Sequence, residues 1–302
     1  MPSLTPASVL RRILPTPVWL PAVLVIMGLT ACADARADVA VTPAPFGGDV
    51  LNKAGPDYDF SFNASFEPDG NRIFFSRAKK DWSKIQLFTA QRTADGWSAP
   101  TPMVLGDAEA RNTDPQVSPD GRLLYFASDR AVPGQPAKPG DYHLWVARKQ
   151  GARWGEPEPL AGDVGAALAP SMTLGGDLYF MHQDGKEMAG LYLAHIRAGQ
   201  ALDPAPLAIP GAAAGQDAAV SRDGKLLVFV APDTGGSKAI FLARHDKAGW
   251  SASEKLKLGE GFGNPFALGL APDGQTLYFT AARSGAAPQI FAASLPAADM
   301  AG

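Results

Sequence analysis

Val117-Ser118-Pro119-Asp120-Gly121-Arg122-Leu123-Leu124-Tyr125-Phe126 sets a turn of definite chemistry between two apolar runs. Proline presets one backbone angle, the aspartate side chain can bond its own backbone, and glycine accepts positive φ, so the stretch reads as a β-hairpin. The unit returns. Phe66-Glu67-Pro68-Asp69-Gly70 leads into Ile73-Phe74-Phe75, Val220-Ser221-Arg222-Asp223-Gly224 into Leu226-Leu227-Val228-Phe229, and Leu270-Ala271-Pro272-Asp273-Gly274 into Leu277-Tyr278-Phe279. Thr173-Leu174-Gly175-Gly176-Asp177-Leu178-Tyr179-Phe180 is a degraded copy. The turn glycines at 70, 121, 176, 224 and 274 stand 51, 55, 48 and 50 residues apart, which is the length of one propeller blade.

Each copy continues into a third strand, such as Ile85-Gln86-Leu87-Phe88 or Ile240-Phe241-Leu242-Ala243. A fourth is marked by Gly96-Trp97-Ser98-Ala99-Pro100, Arg153-Trp154-Gly155-Glu156-Pro157 and Gly249-Trp250-Ser251-Ala252. Four strands per unit, repeated radially, make an all-β protein of the β-propeller type. The last copy stops near Leu295, after its third strand, and Val39-Ala40-Val41-Thr42-Pro43-Ala44-Pro45-Phe46 stands where the missing fourth strand is needed. The expectation is five four-stranded blades closed by an N-terminal strand, with six blades as the alternative. Trp97, Trp154 and Trp250 recur at one structural position, which predicts packing between neighbouring blades rather than a ligand platform.

With 32 Gly and 27 Pro, the composition suits short strands and tight turns. A net charge of −3 without a basic run argues against nucleic acid as a partner. Arg11 and Arg12 precede an apolar stretch, 18–29, that reads as the core of a signal peptide spanning 1–31. Leu29-Thr30-Ala31-Cys32 resembles the bacterial lipobox, in which the cysteine is lipidated and becomes the new N-terminus. That resemblance implies a lipid anchor at Cys32 and, with Ala33 following it, the periplasmic face of the outer membrane. Cys32 is the chain's only cysteine, so neither an intramolecular disulfide nor a Cys-based metal site is available. The organisation read from the sequence is a signal peptide, a tether at 32–38 and one propeller domain at 39–298.

The repeats resemble the PD40, or WD40-like, repeats of TolB-type propellers: an apolar strand, Ser-Pro-Asp-Gly, a second apolar strand, then a Ser-Asp-Arg turn. Ser128-Asp129-Arg130 fits that last element well, and Ser76-Arg77 and Ala282-Arg283 fit it in part. The resemblance covers residues 40–295 and implies a non-catalytic binding or scaffold protein of the cell envelope, recognising a protein or a small ligand. The TolB ring is six-bladed, which is why six blades stay open as the alternative.

Seven residues before each turn glycine stand Asn63, Asp114, Ala169, Asp217 and Ala267, where innermost strands begin and propeller funnels bind ligands. Asn63, Asp114 and Asp217 are the candidate ligand-binding set. Asp and Asn also cap turns by bonding their own backbone, which is their commoner use. A glycan-active hydrolase is the alternative function, its carboxylates drawn from Asp57, Asp59, Asp114 and Asp217. No Gly-x-Ser-x-Gly nucleophile elbow occurs. His143, His182, His195 and His245 are spread over separate repeats, so neither a metal nor a cofactor is expected. Arg77, Arg130 and Arg283 recur after the second strand and are predicted to pair with loop carboxylates.

Overall fold

The computed structural model describes residues 38–185, 187–212, 215–234 and 236–296. The signal segment, Cys32 and the tether up to residue 37 lie outside them, as do 297 and 298. The apolar run after each turn becomes a second strand: Arg72–Ala78, Leu123–Ser128, Asp177–Asp184, Leu226–Pro232 and Thr276–Ala281. Successive side chains of a strand point to opposite faces, and here both faces are covered. Leu124 and Phe126 pack with Phe74 and Leu87 of the preceding blade, whereas Tyr125 packs with Leu178 and Phe180 of the following one. Tyr179 then meets Leu227 and Phe229, Val228 meets Leu277 and Phe279, and Tyr278 meets Ile73 and Phe75. The last pairing returns to the first blade, so five apolar cores fill five seams.

The innermost strands are Phe60–Phe66, Asn112–Val117, Ala167–Met172, Gln216–Val220 and Phe266–Leu270. Each contacts the next, and the fifth contacts the first. Five sheets in a ring, antiparallel but for two short parallel pairings at outer edges, make a five-bladed β-propeller. Among the described residues no helix is long and apolar enough to cross a membrane.

Two details refine the expected strands. Gly96–Trp97, Arg153–Trp154 and Gly249–Trp250 extend the hairpin of the third strand by only two residues each, and the outermost ladder resumes at Thr101–Pro102, Glu158–Pro159 and Glu254–Lys257. Pro100 and Pro157 lie in the breaks of the first two, where a residue without an N–H cannot continue the ladder. Trp97, Trp154 and Trp250 reach the seams as expected: Trp154 lies edge-on to Phe74 at 5.9 Å and Trp250 to Tyr179 at 6.2 Å.

The closing strand also divides. Ala44–Pro45 pairs antiparallel with Gln289–Ser294 and completes the fifth blade, while Val39–Ala40 adds in parallel to Glu254–Lys257 of the fourth. Pro43, between the two pieces, breaks the extended ladder. The Phe46 ring wedges the closure, 4.7 Å from Tyr278 and 6.0 Å from Trp97. Asn52 then clamps it: its Nδ2 donates to the Phe46 carbonyl at 2.7 Å and its Oδ1 accepts the Ile290 amide at 2.9 Å.

Where the fifth blade meets the first, Gly269 leaves no room for a side chain, because a Cβ there stands 2.2 Å from the Ala64 carbonyl oxygen. The obstacle is backbone and cannot swing aside. Gly269→Ala is therefore expected to cost about 1–3 kcal/mol, read as a lowered thermal midpoint. An unchanged midpoint would mean that this seam is looser than described.

Candidate functional site

All five innermost strands lose register with their second strand at one equivalent place, between Phe62 and Ser65, Thr113 and Gln116, Leu168 and Ser171, Gln216 and Ala219, and Phe266 and Gly269. The residue at the bulge is left-handed each time: Asn63 at φ 58°, Asp114 at 52°, Ala169 at 49°, Asp217 at 46° and Ala267 at 52°. Asn and Asp tolerate that conformation through local bonding, whereas alanine takes it at a steric cost. These are the five positions picked out by spacing from the turn glycine.

The polar groups around these positions join blade to blade. Asn63 Nδ2 donates to Asp114 Oδ1 at 3.3 Å, and Asp114 Oδ2 accepts the Ala169 amide of the third blade at 3.2 Å. The Asp217 carboxylate accepts the Ala267 amide. The Asn63 amide donates to Thr280 Oγ1 of the fifth blade at 3.3 Å. At the seam between third and fourth blades, where Ala169 has no polar side chain, Ser171 Oγ accepts the Val220 amide at 2.9 Å. Ser65 Oγ does the same for Val117 between the first and second. Asp114 and Asp217 thus reach past their own turns; each holds the amide of a left-handed alanine one blade further on.

A cavity of about 290 Å³ opens above this ring. Asp114, Asp217 and Ala267 line it together with Phe62, Trp82, Ile85, Tyr142, Leu168, Met181 and Phe266. Trp82 was not singled out by the repeat, because it sits in the polar loop Lys79-Lys80-Asp81-Trp82-Ser83-Lys84 rather than at the recurring tryptophan position. A lone tryptophan among charged residues was the available signal. The loop is tied down on every side: Lys80 N donates to Asp59 Oδ2 at 2.6 Å, Arg111 Nη1 to the Trp82 carbonyl at 3.1 Å, and Ser83 Oγ to Asp81 Oδ1 at 2.6 Å. Trp82 itself has φ 60° and is 42% exposed, yet its ring lies 5.5 Å from Phe62 and 6.3 Å from Phe266. A bulky residue held in the left-handed region is strained, and such strain gathers at functional sites. Trp82 and Phe266 also border a second cavity, of about 460 Å³, reached past Asp59 and Lys80.

The electrostatics are lopsided. Burial raises Asp114 above the usual carboxylate range despite bonds from the Ala169 amide, Thr113 and Asn63. Burial and the nearby Asp114 charge push Asp217 up to about 6, only partly offset by the Ala267 amide and Lys238. Neither acid has an ion-pair partner among the described residues. Arg111, at the rim, is bound to Asp129 by two contacts of 2.7 and 2.8 Å. Two of the recurring arginines differ from expectation. Arg77 bonds Ser61 Oγ and the Leu51 carbonyl and lies over Phe88, and Arg283 lies over Phe262, whereas Arg130 bonds Ser128 Oγ and Asn112 Oδ1, lies over Trp145 and feels the loop carboxylates Asp107, Glu156 and Asp129. Their positions abut the seams, where rings and neutral oxygens are nearer than loop carboxylates. Among the described residues there is no group of three or more His, Cys, Asp or Glu able to hold a metal.

The Asp217 shift has a testable sign. A folded pKa near 6 against 3.8 means that the folded state keeps the proton longer, so ionisation costs stability, in full above pH 6 and vanishing as the pH falls through 3.8. Asp217→Asn, which keeps an acceptor for the Ala267 amide, is expected to melt about 2–4 °C higher than the parent at pH 8. That gain shrinks below pH 6 and is gone near pH 3; a gain independent of pH would refute the assignment.

No family model matches the chain, and no curated protein matches it. Solved structures do. A protein assigned as TolB from Agrobacterium tumefaciens, 16% identical, aligns with TM-score 0.52 over 76% of this chain and 72% of its own. An α-L-arabinofuranosidase from Podospora anserina, in complex with cellotriose, is 12% identical and aligns with TM-score 0.52 over 85% of this chain and 96% of its own. TolB from Acinetobacter baumannii is 12% identical, with TM-score 0.47 over 78% of this chain and 55% of its own. At these identities the likeness is one of fold: the chain is a β-propeller with TolB among its structural neighbours.

Proposed function

We propose that this protein is a non-catalytic recognition propeller of the cell envelope, exported by its N-terminal signal, held to the membrane by a lipid on Cys32, and binding its partner at the Trp82 mouth of the funnel. One observation carries the reading. A funnel hydrolase needs a pair of free carboxylates, and Asp114 is already spent on Asn63, Thr113 and the Ala169 amide across the seam, which leaves Asp217, itself accepting the Ala267 amide, without a free partner acid. What the mouth offers to an incoming molecule is instead a wall of aromatic and aliphatic side chains, the pattern of a binding site. The exposed, strained Trp82 suits the same role, since tryptophan is enriched among residues that dominate binding energy. The glycan-hydrolase alternative, drawn from the funnel carboxylates, gains only a likeness of fold from the arabinofuranosidase, and a fold hosts many functions.

Two measurements test this. Envelope material captured on the mature protein is compared with that captured on a Trp82→Ala form. A component retained by the first and lost from the second supports the reading, while release of reducing sugar from envelope glycans, abolished by Asp114→Asn, overturns it. Separately, Cys32→Ser is expected to move the protein from the membrane pellet to the soluble fraction and to remove a lipid-sized mass from its N-terminus. Unchanged fractionation would disprove the anchor without touching the propeller.

A further inference from the structure

From the walls and floor of the funnel cavity we infer that it binds a small organic ammonium ion, an amine with an apolar or aromatic body, with the charged head over Asp217 and the body against Trp82 and Phe266. The inference rests on the funnel being the ligand site and adds the ligand's chemical class.

The polar groups within reach decide the class. Thr113 Oγ1 is spent on Asp114 Oδ1 at 3.1 Å, and Asp114 is further occupied by Asn63 and Ala169. The Arg111 guanidinium is taken up by Asp129 and the Trp82 carbonyl and lies over Tyr142 at 5.6 Å. Lys238, the cation acting on Asp217, donates to Gln216 Oε1 at 2.7 Å. Asp217 has one donor, the Ala267 amide, so lone pairs remain free on a carboxylate that lines the cavity. A sugar needs donors and acceptors spread around its ring, whereas beyond the Tyr142 hydroxyl and the Trp82 indole N–H the remaining walls, Phe62, Ile85, Leu168, Met181 and Phe266, supply none. An anion would meet two acids. A ligand whose polar end only donates and carries positive charge matches the free acceptor, and the ring faces beside it attract a cation in their own right.

The volume of about 290 Å³ falls at the small end of ligand pockets and suits one arylalkylamine. Binding also relieves a cost, because the ionised Asp217 feels the Asp114 charge and Lys238 offsets it only in part.

The test is a calorimetric titration at pH 8 with phenethylammonium chloride, 2-phenylethanol, phenylacetate, methyl glucoside and calcium chloride. The inference requires the ammonium to bind at least about tenfold more tightly than the alcohol and phenylacetate not to bind. It also requires that preference to vanish in Asp217→Asn and the affinity to fall in Trp82→Ala. Asp217→Asn keeps the acceptor for Ala267, Trp82 lies on a surface loop, and thermal melts verify both folds. Equal binding of amine and alcohol overturns the ammonium assignment and leaves the funnel an apolar binding site. Tighter binding of the glucoside or of calcium overturns it in favour of those ligands. If none of the five binds, the assignment fails, while the recognition reading stands or falls on the capture comparison with Trp82→Ala.

Discussion

Near the axis of a ring of sheets, strands from different blades come close enough that their main chains meet, and an ordinary extended strand there leaves some amides without partners. The chain meets this constraint by bending every innermost strand at the same residue into the left-handed region, from Asn63 round to Ala267. The bend turns an amide or a short polar side chain toward the neighbouring blade. Buried main-chain amides need partners, and Asp114, Asp217, Ser65, Ser171 and Thr280 supply them across the seams. No hydrogen bond within a blade can do this, so the axial bonds and the five apolar cores belong to the closed ring alone.

That arrangement shapes what the funnel can do. Acids placed to satisfy neighbouring amides lose their hydration: burial raises Asp114, and burial together with the Asp114 charge raises Asp217, above the ordinary carboxylate range. Raised carboxyls in a cleft ordinarily suggest catalysis, but structural networks perturb ionisation as well. Here the hydrogen bonds favour the structural cause. The mouth above them takes its character from a separate source, the loop between the second and third strands of the first blade, which Asp59 and Arg111 pin so that Trp82 faces the axis.

Much of the architecture was legible in the residues. Second strands such as Leu123-Leu124-Tyr125-Phe126 are apolar at every position because they are sandwiched between two seams, and this made them easy to recognise. The turn aspartates were equally plain: Asp120 and Asp223 each bind the serine hydroxyl two residues earlier at 2.6 Å. The five funnel positions were located by counting, but their partners were not, since Asp114 meets an amide 55 residues away through ring geometry. Trp82, Phe46 and Asn52 carry no periodic mark. They act once each, at the funnel mouth and at the closure, and a repeat pattern is blind to what is not repeated.

Sequence alone therefore determined the blade and pointed to five copies, with six still open, and to a strand from the N-terminal side, because hairpin chemistry and alternating apolarity are local properties. Tertiary structure decided what the funnel residues do, where the arginines rest and which loop covers the mouth. The reason is physical: burial, ionisation and hydrogen-bond partnership depend on groups brought together from different blades, and those distances exist only once the ring is closed.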